Sequence, residues 1–121
     1  MEIMDIKELQ KEIHENAKDK GFWDKEHNFG NDIMLIVTEL AECVEAHRLG
    51  EHANIEGFEN GTEDFTTEFK KHIKDTIEDE LADAFIRLLD TAEGWGVDLQ
   101  RHVKLKMLYN AKRERLHGKK Y

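Results

Sequence analysis

No proline occurs in this chain, and its apolar residues return at three- and four-residue steps along most of its length. A sequence of that period builds α-helices, because residues three and four apart fall on one side of a 3.6-residue turn. No stretch alternates apolar and polar residues with β-branched enrichment, so no strand is expected. Four helical segments emerge. The first runs from about Asp5 to Lys20, with Ile6, Leu9, Ile13 and Ala17 as its apolar line and Gly21 as its stop. The second runs from about Asn31, a candidate N-cap, to Leu49 before Gly50. The third reaches from Phe65 to the Gly94-Trp95-Gly96 break, along one stripe of Phe65, Phe69, Ile73, Ile77, Leu81, Ala84 and Leu88. The fourth opens on Asp98 as N-cap and continues to about Leu116, with Leu99, Val103 and Met107 as its spine. Residues 51–62, with Gly57 and Gly61, read as a loop. The expected fold is all-α, a four-helix bundle-like single domain over residues 1–121.

Composition narrows the setting. Charged residues make up 37% of the chain and apolar residues 39%, which suits helices with wet faces better than a sandwich or barrel. Cys43 is the one cysteine, so no internal disulfide forms and a reducing compartment is expected. The longest apolar run, Ile33-Met34-Leu35-Ile36-Val37, falls far short of the ~20 residues that span a bilayer. The opening Met1-Glu2-Ile3-Met4-Asp5 lacks the basic and apolar regions of a signal peptide. The expectation is a soluble, cytoplasmic protein with no membrane partner. Segment two is apolar nearly all round: Ile33, Ile36, Leu40 and Val44 share one side, and Met34, Leu35, Ala41 and Cys43 spread over the rest. Such a helix needs cover on more than one side. A second subunit would supply it, or else the helix is the centre of a monomeric bundle.

Charge is distributed unevenly. Residues 101–121 carry eight bases and one acid, a net +7, so the rest of a −9 chain carries −16. An acidic body repels the phosphate backbone of DNA or RNA. The tail offers only Tyr109 and Tyr121 as stacking surfaces. A polymeric nucleic acid is therefore not an expected partner, whereas a smaller anion held between acid-bound cations and a few bases is.

Two tetrapeptides on the central segments, Glu39-Leu40-Ala41-Glu42 and Glu80-Leu81-Ala82-Asp83, share one frame in the most apolar parts of the chain. Acids three apart are neighbours on a helix surface. If the two helices lie antiparallel, four carboxylates face one another, and like charges that close repel unless a cation sits among them. Oxygen-only ligands suit Mg²⁺ or Mn²⁺ rather than Zn²⁺. The alternative is a set of exposed acids bonded to Lys and Arg; the spacing also occurs at Glu2-x-x-Asp5, Glu12-x-x-Glu15, Glu42-x-x-Glu45 and Glu56-x-x-Glu59, most of which must be solvated faces.

The run Thr38-Glu39-Leu40-Ala41-Glu42 followed by Glu78-Asp79-Glu80-Leu81-Ala82-Asp83 resembles the ExxE…ExxD motif of the all-α, MazG-like nucleoside triphosphate pyrophosphohydrolases. Lys106-Met107-Leu108-Tyr109-Asn110-Ala111-Lys112-Arg113, ending His117-Gly118-Lys119-Lys120, is similar to the Lys-x-x-x-Asn tail of small members. The resemblance covers roughly residues 30–121. It implies an oligomer, a homodimer or homotetramer, that hydrolyses (d)NTPs to the monophosphate and pyrophosphate with Mg²⁺. It also implies Glu39, Glu42, Glu80 and Asp83 as metal ligands. Two features depart from the pattern. The gap between the acid pairs is long, which places an insertion at about residues 50–66, and Leu49 and Arg87 stand where aromatics follow the acid pairs in a dCTP-hydrolysing branch.

Attack of water on a phosphoryl group needs positioning and charge neutralisation. A carboxylate not fully occupied by metal, Glu39 or Glu42, is the candidate catalytic base. Lys106, Asn110 and Arg113 fall at i, i+4 and i+7, on one helical face, and are the candidate phosphate-binding residues; the same spacing describes a plain polar face. Trp23 is a candidate to stack on a nucleobase while Asn31 reads its edge. The competing reading of Phe22-Trp23 is a hydrophobic plug at one end of the bundle. For the whole chain, the alternative to a hydrolase is a non-catalytic acidic helical bundle that binds a nucleotide or a protein partner.

Overall fold

The computed structural model describes residues 5–120; Met1–Met4, read above for a signal segment, and Tyr121 lie outside the described residues. Everything regular in it is helical. The helices are α1 (Ile6–Asp19), α2 (Phe29–Arg48), α3 (Ile55–Glu59), α4 (Phe65–His72), α5 (Ile77–Gly94) and α6 (Leu99–Ala111), followed by a 3₁₀ turn at Arg115–Gly118. The all-α expectation holds, and no helix among the described residues is long and apolar enough to cross a membrane.

Local chemistry explains the helix ends. Asp5 caps α1 by accepting the Glu8 N–H at 2.7 Å. The helix stops in a Schellman arrangement, with Gly21 at a φ of 87° and the Phe22 N–H donating to the Ala17 carbonyl. Asp98 caps α6, as its position suggested.

Four features differ from the sequence pattern. Helix α2 starts two residues before Asn31. Its cap is Asn28, whose side chain accepts the Asn31 N–H at 2.9 Å, so Asn31 lies inside the first turn. The 51–62 loop contains the one-turn helix α3, capped by Asn54. The long third segment is two helices. The chain breaks after Ile73, where Asp75 takes a φ of 65°. The Thr76 hydroxyl accepts the Asp79 N–H, and the Asp79 carboxylate reaches back to the Asp75 N–H. That exchange is a variant of the capping box and starts α5 afresh. The fourth segment is also shorter than expected, since α6 ends at Ala111, and Met107 of its apolar spine is exposed.

The chain falls into two compact units. One comprises residues up to Asp24 together with those from Leu89 onward. Leu89 is fully buried there, beside buried Thr91, Ala92 and Gln10. The Gln10 amide donates to Glu93 at 3.0 Å and to the Val97 carbonyl at 2.8 Å, tying α1 to the end of α5. The Trp23 indole donates to Asp90 at 3.0 Å, and the His14 ring meets the same carboxylate at 2.8 Å.

The other unit spans Lys25–Leu88. Helices α3 and α4 pack through Phe58, Phe65 and Phe69, whose rings sit edge-on and stacked. The segment after α2 is pinned to α5 by Glu78, which accepts the Ala53 N–H at 2.9 Å and meets His52 at 3.1 Å. Those bonds hold the Glu78 carboxyl down at about 2, the Ala53 N–H contributing most. Ile36, Ala46 and Ala84 are the buried apolar residues of this unit, and they share its interior with Glu39, Glu68, Glu80, Asp32 and Thr76. That is a high proportion of polar groups for so small an interior, and each requires a partner.

Candidate metal centre

Two helices bring the acids together within the Lys25–Leu88 unit. The Cys43 thiol lies 3.7 Å from the Ile77 carbonyl, and one turn earlier on α2 Glu39 meets Arg87, far along α5. Helix α2 therefore runs antiparallel to α5, and the Glu-x-x-Glu turn of one faces the Glu-x-x-Asp turn of the other. Glu39, Glu80 and Asp83 each place a carboxylate oxygen within 4.8 Å of the other two. Glu39 is 8% exposed and Glu80 5%, whereas Asp83 stands at the open side.

Hydrogen bonding leaves this cluster incomplete. The Arg87 Nε–H donates to Glu39 Oε1 at 2.8 Å. Oε2 of Glu39 and Oε2 of Glu80 are buried with no donor in reach. A buried ionised oxygen without a donor costs more than an ordinary lost hydrogen bond. Protonation is one relief: burial, then the Glu42 and Glu39 carboxylates facing it, push Glu80 up to about 7. Asp83 is raised as well, chiefly by burial and by Asp79 and Glu39, with Arg87 opposing. A divalent cation is the other relief. Three carboxylates from two helices, two of them with an unsatisfied buried oxygen, fit a hard, oxygen-preferring ion.

Of the four acids singled out by sequence, Glu39, Glu80 and Asp83 form the triad, and Glu42 is exposed at its edge against Glu80. Arg87 is the participant that the sequence reading did not assign to the site. Its signal was present, since Glu80, Asp83 and Arg87 follow at i, i+3 and i+7 on one helical face.

The remaining candidates are placed as follows. Lys106 and Arg113 both lie over the Tyr109 ring, at 5.0 and 5.4 Å from its centre, and Asn110 is half-buried with its Oδ1 unpartnered. Trp23 is engaged inside its own unit: besides its bond to Asp90 it sits edge-on to His14 at 4.9 Å and covers Gly94. Asn31 is exposed and its backbone serves the α2 cap. Roles for Lys106, Asn110 and Arg113 at phosphate, and for Trp23 and Asn31 at a base, rest on the sequence.

Set against models of known protein families, curated proteins and solved structures, the chain matches none of them.

Proposed function

We propose that this chain is a Mg²⁺-dependent nucleoside triphosphate pyrophosphohydrolase that converts a (d)NTP to the monophosphate and pyrophosphate. The observation that carries the reading is the pair of buried, donorless oxygens on Glu39 and Glu80 within a three-carboxylate cluster. The resemblance of the two acid motifs supplies the reaction class.

Glu39, Glu80 and Asp83 are the residues that would hold Mg²⁺, with Mn²⁺ as a substitute. The chemistry supplied there is neutralisation of phosphoryl charge and acidification of water. Glu42, exposed beside Glu80 and outside the triad, would take the proton from the attacking water. The burial of Glu39 and Glu80 keeps the acids dry enough for their charge to act at strength. The reading includes a reducing cytoplasmic setting, consistent with a single cysteine. It also includes a homo-oligomer, because the apolar faces of α2 and α5 stand open.

The test is pyrophosphate release from each (d)NTP with Mg²⁺, repeated on Glu80→Gln and Asp83→Asn. Either substitution removes charge at nearly constant volume, so turnover is lost while the helical circular dichroism signal is kept. Undiminished turnover in both variants removes the site assignment. No release from any (d)NTP by the parent chain favours the non-catalytic acidic bundle.

A further inference from the structure

We propose that Arg87 is the resident counter-cation of the acid cluster: it neutralises Glu39 while no divalent ion is held, and turns its guanidinium to the phosphoryl oxygens of an anion when one is. The proposal rests on the reading of Glu39, Glu80 and Asp83 as a divalent-metal centre.

Position comes first. Helix α5 carries Glu80, Asp83 and Arg87 on one face, so the guanidinium emerges one turn beyond the outermost acid. Its bond to Glu39 uses the Nε–H at 2.8 Å. A guanidinium has five donors and the bond to Glu39 uses one of them; with the Arg87 side chain 43% exposed, an anion can reach the group without the helices parting. A planar fork of that kind matches two oxygens of a phosphate.

Energetics separates this contact from an ordinary surface pair. An exposed Arg–carboxylate pair contributes little. Here the acceptor is a buried carboxylate whose second oxygen has no donor, with two further acids within 4.8 Å. Among the described residues Arg87 is the one base bonded to any of the four acids. Guanidinium and divalent ion thus compete for the same negative charge on Glu39. Once an ion takes over Glu39, the Arg87 charge stands beside the metal-held acids and needs an anion. Phosphoryl oxygens satisfy both cations at once, which makes the acceptance of phosphate depend on prior loading of the acids.

Binding, not turnover, tests this. Mn²⁺ and inorganic pyrophosphate are titrated calorimetrically into the parent, Arg87→Gln and Arg87→Lys. Arg87→Gln is expected to bind Mn²⁺ at least about tenfold more tightly, since one unit of positive charge has left the cluster. With saturating Mn²⁺ it is expected to bind pyrophosphate at least about tenfold more weakly, the charge-assisted fork being gone. Arg87→Lys keeps the charge but not the fork, so its Mn²⁺ affinity stays near the parent's while pyrophosphate still weakens. Should Arg87→Gln fail to fold, the Lys variant decides: undiminished pyrophosphate binding overturns the proposal. The absence of either shift in Arg87→Gln also overturns it, and leaves the metal centre standing if Mn²⁺ still binds. Failure of Mn²⁺ to bind parent and variants alike removes both. If both shifts occur but the parent hydrolyses no (d)NTP, the role of Arg87 stands and the hydrolase reading falls.

Discussion

Arg87 donates its Nε–H to Glu39 across the two central helices at 2.8 Å, while the other oxygen of Glu39 is buried without a donor. One carboxylate is thus half satisfied by a cation on the facing helix and half left open. Among the described residues no base is bonded to Glu80 beside it, and burial, then the facing Glu42 and Glu39 carboxylates, push it up to about 7, toward the protonated form. The acids of one cluster meet the same difficulty in two ways, and each way predicts a separate response to pH, to substitution and to added metal.

Stability of the metal-free protein should fall as pH rises from about 5 to 8. In the unfolded chain Glu80 loses its proton near its ordinary value of 4.5, whereas in the folded protein it holds it up to about 7. Between those values the folded state binds more protons than the unfolded one, so its stability declines with rising pH. Asp83, also raised, acts with the same sign. Glu78, held at about 2, changes its contribution only in more acidic solution. Melting curves in a chelator at several pH values should show the decline. Glu80→Gln should flatten it, and Mg²⁺ at pH 8 should raise the melting temperature of the parent but not of the variant.

Gly94→Ala should destabilise the unit built around Leu89. A Cβ at Gly94 would lie 2.2 Å from the Trp23 ring, which cannot shift freely because its indole N–H is bonded to Asp90. Overpacking of this kind costs about 1–3 kcal/mol. Urea unfolding of the variant should show a lower midpoint with an unchanged slope. A midpoint equal to the parent's would mean that the indole moves aside at no cost.

The break between α4 and α5 makes a paired prediction. Asp75 sits at a φ of 65°, where most side chains are strained and glycine is not. Asp75→Gly should therefore be neutral or stabilising by up to about 1 kcal/mol. Asp75→Val, β-branched at the same φ, should destabilise. Thr76→Ala removes the hydroxyl that accepts the Asp79 N–H and should cost about 1 kcal/mol, the usual worth of an N-cap. Thermal unfolding followed by far-ultraviolet circular dichroism ranks the three.

The same junction shows where the sequence was legible and where it was not. Apolar spacing revealed the helices because each buries a stripe. It could not reveal the break, since Phe69, Ile73 and Ile77 keep a four-residue step straight through it. The interruption is backbone and polar in origin: an Asp that tolerates a left-handed turn, then Thr76-x-x-Asp79 as a capping box. At the acid cluster, the two Glu-Leu-Ala-acid frames marked Glu39, Glu80 and Asp83, because acids inside apolar helices are conspicuous. Arg87 passed unassigned, since one Arg on a helix face is common and its partner lies 48 residues away. Contacts at that separation depend on helix pairing, which periodicity does not specify.

The open apolar faces yield the last prediction. On α2, Val37, Leu40 and Val44 are exposed, and with half-buried Ile33 they follow at steps of four, three and four. On α5, Leu81, Phe85 and Leu88 are exposed at steps of four and three. Such alternation is the seam spacing of packed helices, yet within the Lys25–Leu88 unit these side chains face outward. Glu39 and Glu42 fall on other faces of α2, so covering this seam does not require closing the acid cluster. A second copy of the chain laid along the seam would bury it with like against like, as two-fold association allows. Sedimentation of the parent should then report a mass of at least two chains, and Leu40→Glu, which sets a charge in the middle of the seam, should shift it toward one. Divalent-metal binding by that variant should persist, because the triad is built within a single chain. A parent that sediments as a monomer at micromolar concentration would mean that these faces stay wet.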